Sequence, residues 1–118
     1  MAQHFKDLVA WQKAMDLVTE VYKATENFPK REVYSLTDQI RRAAVSIPSN
    51  VAEGQAHHSH REFRRFLRHS AGSLAELETQ LLLAERLSYV DPQTIKNLLQ
   101  RIHEVGRIIN GLIGSLPD

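Results

Sequence analysis

The chain has 118 residues, 42% hydrophobic and 25% charged, with a formal net charge of +1; this is one domain's worth of sequence with the balance of a soluble globular protein, and its net charge alone is weak evidence for a nucleic-acid partner. There is no cysteine, which excludes disulfides, thiolate metal sites and cysteine nucleophiles. No apolar run reaches the length of a bilayer-spanning helix, and Met1-Ala2-Gln3-His4-Phe5-Lys6 lacks a signal peptide's apolar stretch, so a single cytoplasmic domain over residues 1–118, with no membrane partner, is expected.

The first helix is expected over about residues 7–28, where Leu8, Trp11, Met15, Val18, Tyr22 and Thr25 are spaced three and four apart, a seam on one side of a helix. Ala14, Leu17 and Val21 widen that stripe. Pro29 restricts Phe28 and ends the helix. The second helix, about 35–57, starts at Ser35-Leu36-Thr37-Asp38, which resembles an N-cap, and continues through Leu36, Ile40, Ala43 or Ala44, Ile47 and Val51. Pro48 interrupts it, at a cost of about 3 kcal/mol in an ordinary helix interior. A continuous helix kinked at Pro48 is favoured over a break near Ser46. Gly54 and Gln55-Ala56-His57-His58 close the segment.

The third helix, about 59–89, opens on Ser59-His60-Arg61-Glu62, a capping box. Phe63, Phe66 or Leu67, Ser70, Leu74, Leu77, Leu81 and Ala84 follow at helical spacing, for a length of about 45 Å. Gly72, within Ala71-Gly72-Ser73, costs helix propensity, and the usual structural reason is close approach of another backbone. The fourth helix, about 91–116, opens on Asp91-Pro92 and carries the most regular seam: Ile95, Leu98, Ile102, Val105, Ile109, Leu112 and Leu116. No segment alternates with a period of two. The fold class is therefore all-α, an antiparallel up-down-up-down four-helix bundle. Leu17, Val21, Leu82, Leu83, Leu99 and Ile113 exceed what one core needs, so self-association is expected.

Catalytic and metal motifs are absent. Glu-x-x-His pairs of a di-iron bundle do not occur, and His60-x-Glu62 lacks the cysteines of a zinc deaminase. Glu53, His57, His58 and His60 cluster at a helix junction and read as a solvated polar loop; a metal or small-molecule site at Asn50, Glu53 and His57 is the weakest reading. Neither a nucleophile elbow nor a phosphate-cradling glycine loop is present. The chain is read as non-enzymatic, with no cofactor and no metal. The local charge is more informative: at about 100° per residue, Arg61, Arg64, Arg65 and Arg68 share about a quarter of the third helix's circumference, opposite Phe63, Phe66, Leu67 and Ser70. Arg41 and Arg42 on the second helix extend the candidate nucleic-acid-binding set, with Asp38 one turn earlier able to pair with either. Asn50 and Glu53, three apart, are candidates to bond backbone groups freed by Pro48 or to reach a neighbouring helix.

The run Leu36 to Gly54, then Glu62-Phe63, Phe66-Leu67 and Gly72-Ser73-Leu74-Ala75-Glu76-Leu77-Glu78-Thr79-Gln80-Leu81, with Phe5-Lys6-Asp7-Leu8 and Trp11-Gln12-Lys13-Ala14, resembles the bacterial four-helix-bundle family encoded in intervening sequences of large-subunit ribosomal RNA genes. The resemblance covers about residues 5–90. It implies a ring-shaped homopentamer and a likeness to the accessory protein of diversity-generating retroelements, which binds nucleic acid and a reverse transcriptase. The sequence departs from that pattern at His57-His58, where relatives tend to carry arginines, and at Leu87-Ser88-Tyr89, where they have Leu-Gly-Tyr. The expected activity is binding of ribosomal RNA or other structured nucleic acid; the alternative is a scaffold that docks only a protein partner.

Overall fold

The computed structural model describes residues 4–118; Met1, Ala2 and Gln3, part of the opening stretch read for a targeting signal, lie outside the described residues. His4 caps a 3-10 turn over Phe5–Asp7 by accepting the Lys6 N–H on its ring nitrogen. Helix α1 follows over Val9–Thr25. It stops short of Phe28 because the next N–H groups close tighter turns, Glu26 onto the Lys23 carbonyl and Phe28 onto Thr25.

Helix α2 spans Leu36–Ala56 without a break at Pro48. Ser35 occupies its cap position but makes no capping bond: its φ of −131° and ψ of −110° differ from the extended geometry that aims a cap hydroxyl into the first turn. The Glu32 carboxylate accepts the Leu36 N–H instead. Helix α3 covers His60–Arg86 with Ser59 capping the Glu62 N–H, and α4 covers Pro92–Ser115 with Asp91 accepting the Thr94 N–H at 2.7 Å. The end of α3 falls before Tyr89 because Ser88 turns left-handed, φ 61°, with its N–H on the Glu85 carbonyl and that of Tyr89 on Ala84, the Schellman pattern.

Among the described residues there is no strand. Each helix packs on two others, α1 on α2 and α4, and α3 on α2 and α4, while the diagonal pairs stay apart. Short connectors make this an up-down-up-down bundle measuring 46 × 24 × 20 Å. Its core runs through Leu17 and Val21, Ile40, Ile47 and Val51, Leu67, Leu77 and Leu81, then Ile102, Val105 and Ile109. Each such side chain contributes about 1.5–3 kcal/mol relative to exposure. At the end where α1 and α3 finish, the Tyr89 hydroxyl donates to Glu32 at 2.7 Å and its ring lies 5.6 Å from Phe28, tying the two connectors together.

The α1 seam differs from expectation. Ala10, Ala14, Leu17 and Val21 are buried together with Leu8 and Thr25, the two ends of the expected seam, so Leu17 and Val21 are core rather than surplus. Met15 and Tyr22 of the expected seam are 42% and 41% exposed, and Trp11 and Val18 are half-buried. The bundle admits the arc with two alanines, where backbones can approach, and leaves the bulkier arc outside. The α4 seam is buried from Ile95 to Ile109, as its periodicity requires.

Candidate functional site

The polar stretch around Pro48 is the contact through which α2 holds α3. Pro48 has no N–H for the Ala44 carbonyl. Nearby carbonyls gain side-chain donors: Asn50 donates to Ser46 at 2.7 Å, and the buried Ser70 hydroxyl of α3 donates to Ile47 at 2.9 Å. Ser46 lies 2.7 Å from the Ala43 carbonyl and 2.6 Å from the Ser73 hydroxyl. Since a hydroxyl has one proton, Ser46 donates to the carbonyl and accepts from Ser73.

Two further residues of that stretch part company. Gly54 is buried against α3, with no room for a side chain: a Cβ there would meet that of Phe66 at 2.6 Å. Glu53 is exposed and makes no hydrogen bond or ion pair among the described residues. Gly72 is exposed as well, and a Cβ on it would have nothing within 4 Å, so the small residue used for contact is its neighbour Ser73. Among the described residues no three His, Asp or Glu side chains gather as a metal-ligand set.

The four arginines at the start of α3 lie together. Arg61, Arg64, Arg65 and Arg68 line one shallow depression with His69. Their circumstances differ. Arg64 is mostly buried and donates to the carbonyls of Leu116 and Pro117 at 3.2 and 2.8 Å, clasping the end of α4. Arg65 pairs with Glu62 at 2.9 Å and lies over the Phe66 ring at 4.6 Å. Arg65 is the main cause that holds the Glu62 carboxyl below its ordinary range, partly opposed by burial and assisted by the charge of His57 and Arg61. Arg61 and Arg68 are exposed and have no acidic partner among the described residues.

Arg41 and Arg42 sit elsewhere. They lie near the start of α2, roughly 24 Å along its axis from the turn that leads into α3. Arg41 donates to the Thr25 hydroxyl at 2.9 Å and the Tyr22 carbonyl and covers the Tyr22 ring at 4.4 Å, whereas Arg42 takes Asp38 at 2.8 Å. The basic face is therefore confined to α3. Sequence reasoning missed the setting of Phe66, which is buried beneath His57, with ring centroids 5.3 Å apart, and meets His69 edge-on. The spacing of Arg65, Phe66 and His69 carried part of that signal; His57 arrives from another helix.

A second surface stands out between α1 and α2. Tyr22 and Val45 line one groove with Val33 and Arg41, and Val45 is 41% exposed; Met15, Trp11 and Val18 continue the apolar arc along α1. No helix of the described residues is long and apolar enough to cross a membrane.

Residues 6–111 match the family model described as 23S rRNA-intervening sequence protein. The fold is similar to that in a crystal structure of a protein of unknown function from the S23 ribosomal protein family of Bacteroides thetaiotaomicron, with a TM-score of 0.80 and 21% identity over 91% of this chain and 100% of that one. No curated protein matches the chain.

Proposed function

We propose that this chain, which belongs to the 23S rRNA-intervening sequence protein family, acts by binding rather than by catalysis, in the cytoplasm, and takes structured RNA on the basic face of α3. The observation that carries this reading is the depression lined by Arg61, Arg64, Arg65, Arg68 and His69, in which Arg61 and Arg68 have no acidic partner among the described residues. Guanidinium groups without intramolecular partners keep their donors for phosphate oxygens, and such contacts confer affinity with little sequence preference. Ribosomal RNA is the partner suggested by the family's name.

The working form is a homo-oligomer, a pentamer by the resemblance of the sequence to its family. The half-exposed arc of Trp11, Met15, Val18 and Tyr22, with Val45 beside it, supports that association. In a ring every protomer repeats the arginine face, and phosphates respond to the summed field. The same apolar arc favours the second reading, a scaffold that docks a different protein and leaves RNA untouched.

Salt titration of binding to a structured RNA, on protein whose mass is measured by light scattering in the same buffer, separates the two. RNA binding that falls steeply with salt is the expected result. An intact oligomer that ignores RNA across the titration favours the scaffold.

A further inference from the structure

The turn from α2 to α3 sets an imidazole on a phenyl ring. His57 caps the end of α2 with φ −73° and ψ −16°, and His58 after it takes φ 55°, so the chain reverses before Ser59 opens α3. The reversal lays the His57 ring nearly parallel to Phe66, inclined by 15° at 5.3 Å between centroids, an offset stack. Phe66 is the fixed member of the pair: it is buried, packed against Gly54, covered by the Arg65 guanidinium and met at its edge by His69. His57 is the exposed member of the pair.

An exposed planar ring held on a buried one is pre-organised, because little rotamer freedom remains to be lost when a third ring stacks on it. Its surroundings select that third ring. The platform shares Phe66 with Arg65 and His69, which line the arginine depression, so His57 stands on the border of that depression. Glu62 is engaged by Arg65, and the Asp118 carboxylate lies 3.9 Å from Arg64, which leaves Arg61 and Arg68 without an acidic partner among the described residues. A flat π-system joined to phosphates is a nucleotide, and its base must be unpaired, since a base inside a duplex already stacks on its neighbours and offers no face.

We propose that His57, backed by Phe66, is a stacking platform for an unpaired nucleobase, so that the RNA taken by this face carries a single-stranded loop or bulge. This rests on the RNA-binding reading above and narrows its substrate class. Arg61 and Arg68 hold the flanking phosphates, and the platform supplies the preference for unpaired over paired segments.

The test uses the full chain and two probes, a stem-loop RNA with 2-aminopurine in its loop and a fully paired RNA duplex of equal charge, at one salt concentration. The stem-loop should bind roughly tenfold tighter than the duplex, with quenching of the loop fluorophore on binding. His57→Ala should reduce stem-loop affinity to the duplex value and abolish the quenching, while His57→Tyr, which keeps a flat ring, should retain both. Equal affinity for the two probes, or a His57→Ala protein of unchanged thermal stability that still quenches the loop, overturns the platform while leaving arginine-dependent binding standing. Failure of both probes to bind overturns the RNA reading itself.

Discussion

Gly54 and Phe66 lie so close across the α2–α3 contact that a Cβ on residue 54 would stand 2.6 Å from the Cβ of Phe66. Both atoms are fixed to backbone, so one methyl group requires the helices to separate. Gly54→Ala should destabilise the fold by about 1–3 kcal/mol, the usual cost of overpacking. Gly72→Ala, on the same helix pair but facing open space, should stabilise it by about 0.5–1 kcal/mol. Urea unfolding of the two variants checks the opposite signs.

Ser88 holds the left-handed position that ends α3, with φ 61°. A side chain there costs about 1 kcal/mol that glycine avoids. Ser88→Gly should raise the unfolding midpoint, whereas Ser88→Ala should not; a calorimetric scan of each distinguishes conformational strain from loss of the hydroxyl.

The arginines divide into two groups by what already holds them. Replacing Arg61 and Arg68 together by Gln should weaken RNA binding and lower the slope of log affinity against log salt by about 2, one for each phosphate contact. Arg41→Gln should leave both unchanged and lower stability instead, because Arg41 is spent on Thr25 and Tyr22 at the far end of α2. Filter binding over a salt series, with thermal melts in parallel, reads both effects.

Tyr89 donates to Glu32 and is the main cause that lowers the Glu32 pKa below its ordinary 4.5, against an opposing effect of burial. A carboxyl with a lowered folded pKa contributes stability above the unfolded value, and that contribution is lost as pH falls from about 4.5 through the folded value. Tyr89→Phe should therefore lower the melting temperature most at neutral pH, and the gap to the parent should narrow under acid. Glu62 and Asp91, also lowered, add to the parent's acid sensitivity. Melts between pH 2 and pH 7 check the trend.

Val45 and Met15 are more than a third exposed, so a charge on either should change the fold's own stability by no more than about 0.5 kcal/mol. On the proposed self-association, Val45→Asp or Met15→Lys should nonetheless yield monomer where the parent associates, since an unpaired charge cannot be buried between apolar faces. Light scattering at equal helical signal is the measurement.

Much of the bundle was legible because its signals are local. The α4 seam, the Asp91-Pro92 start and the Ser59 cap depend on residues within a turn or two of one another, and the structure holds the two starts and buries the seam from Ile95 to Ile109, with Leu112 and Leu116 half-buried at its end. The middle of the α1 seam was misread for a definable reason: Trp11-Met15-Val18-Tyr22 and Ala10-Ala14-Leu17-Val21 both have helical spacing, and periodicity states the angle between residues without saying which arc meets a neighbour. In the candidate site, the clustering of Arg61, Arg64, Arg65 and Arg68 followed from helix geometry, but the division of labour among them did not.

The sequence by itself determined four helices, where they start, and a concentration of positive charge at the head of α3, because hydrophobic period, capping and proline chemistry act over short separations. Only the tertiary structure decided that Arg64 is consumed by the carbonyls of Leu116 and Pro117, that Arg41 is held by Thr25, that Gly54 and not Gly72 is the point of close approach, and that His57 comes to rest on Phe66. Each of these pairs joins different helices or chain segments, and their meeting is set by how the four cylinders pack, a property of the whole bundle that no local pattern of residues encodes.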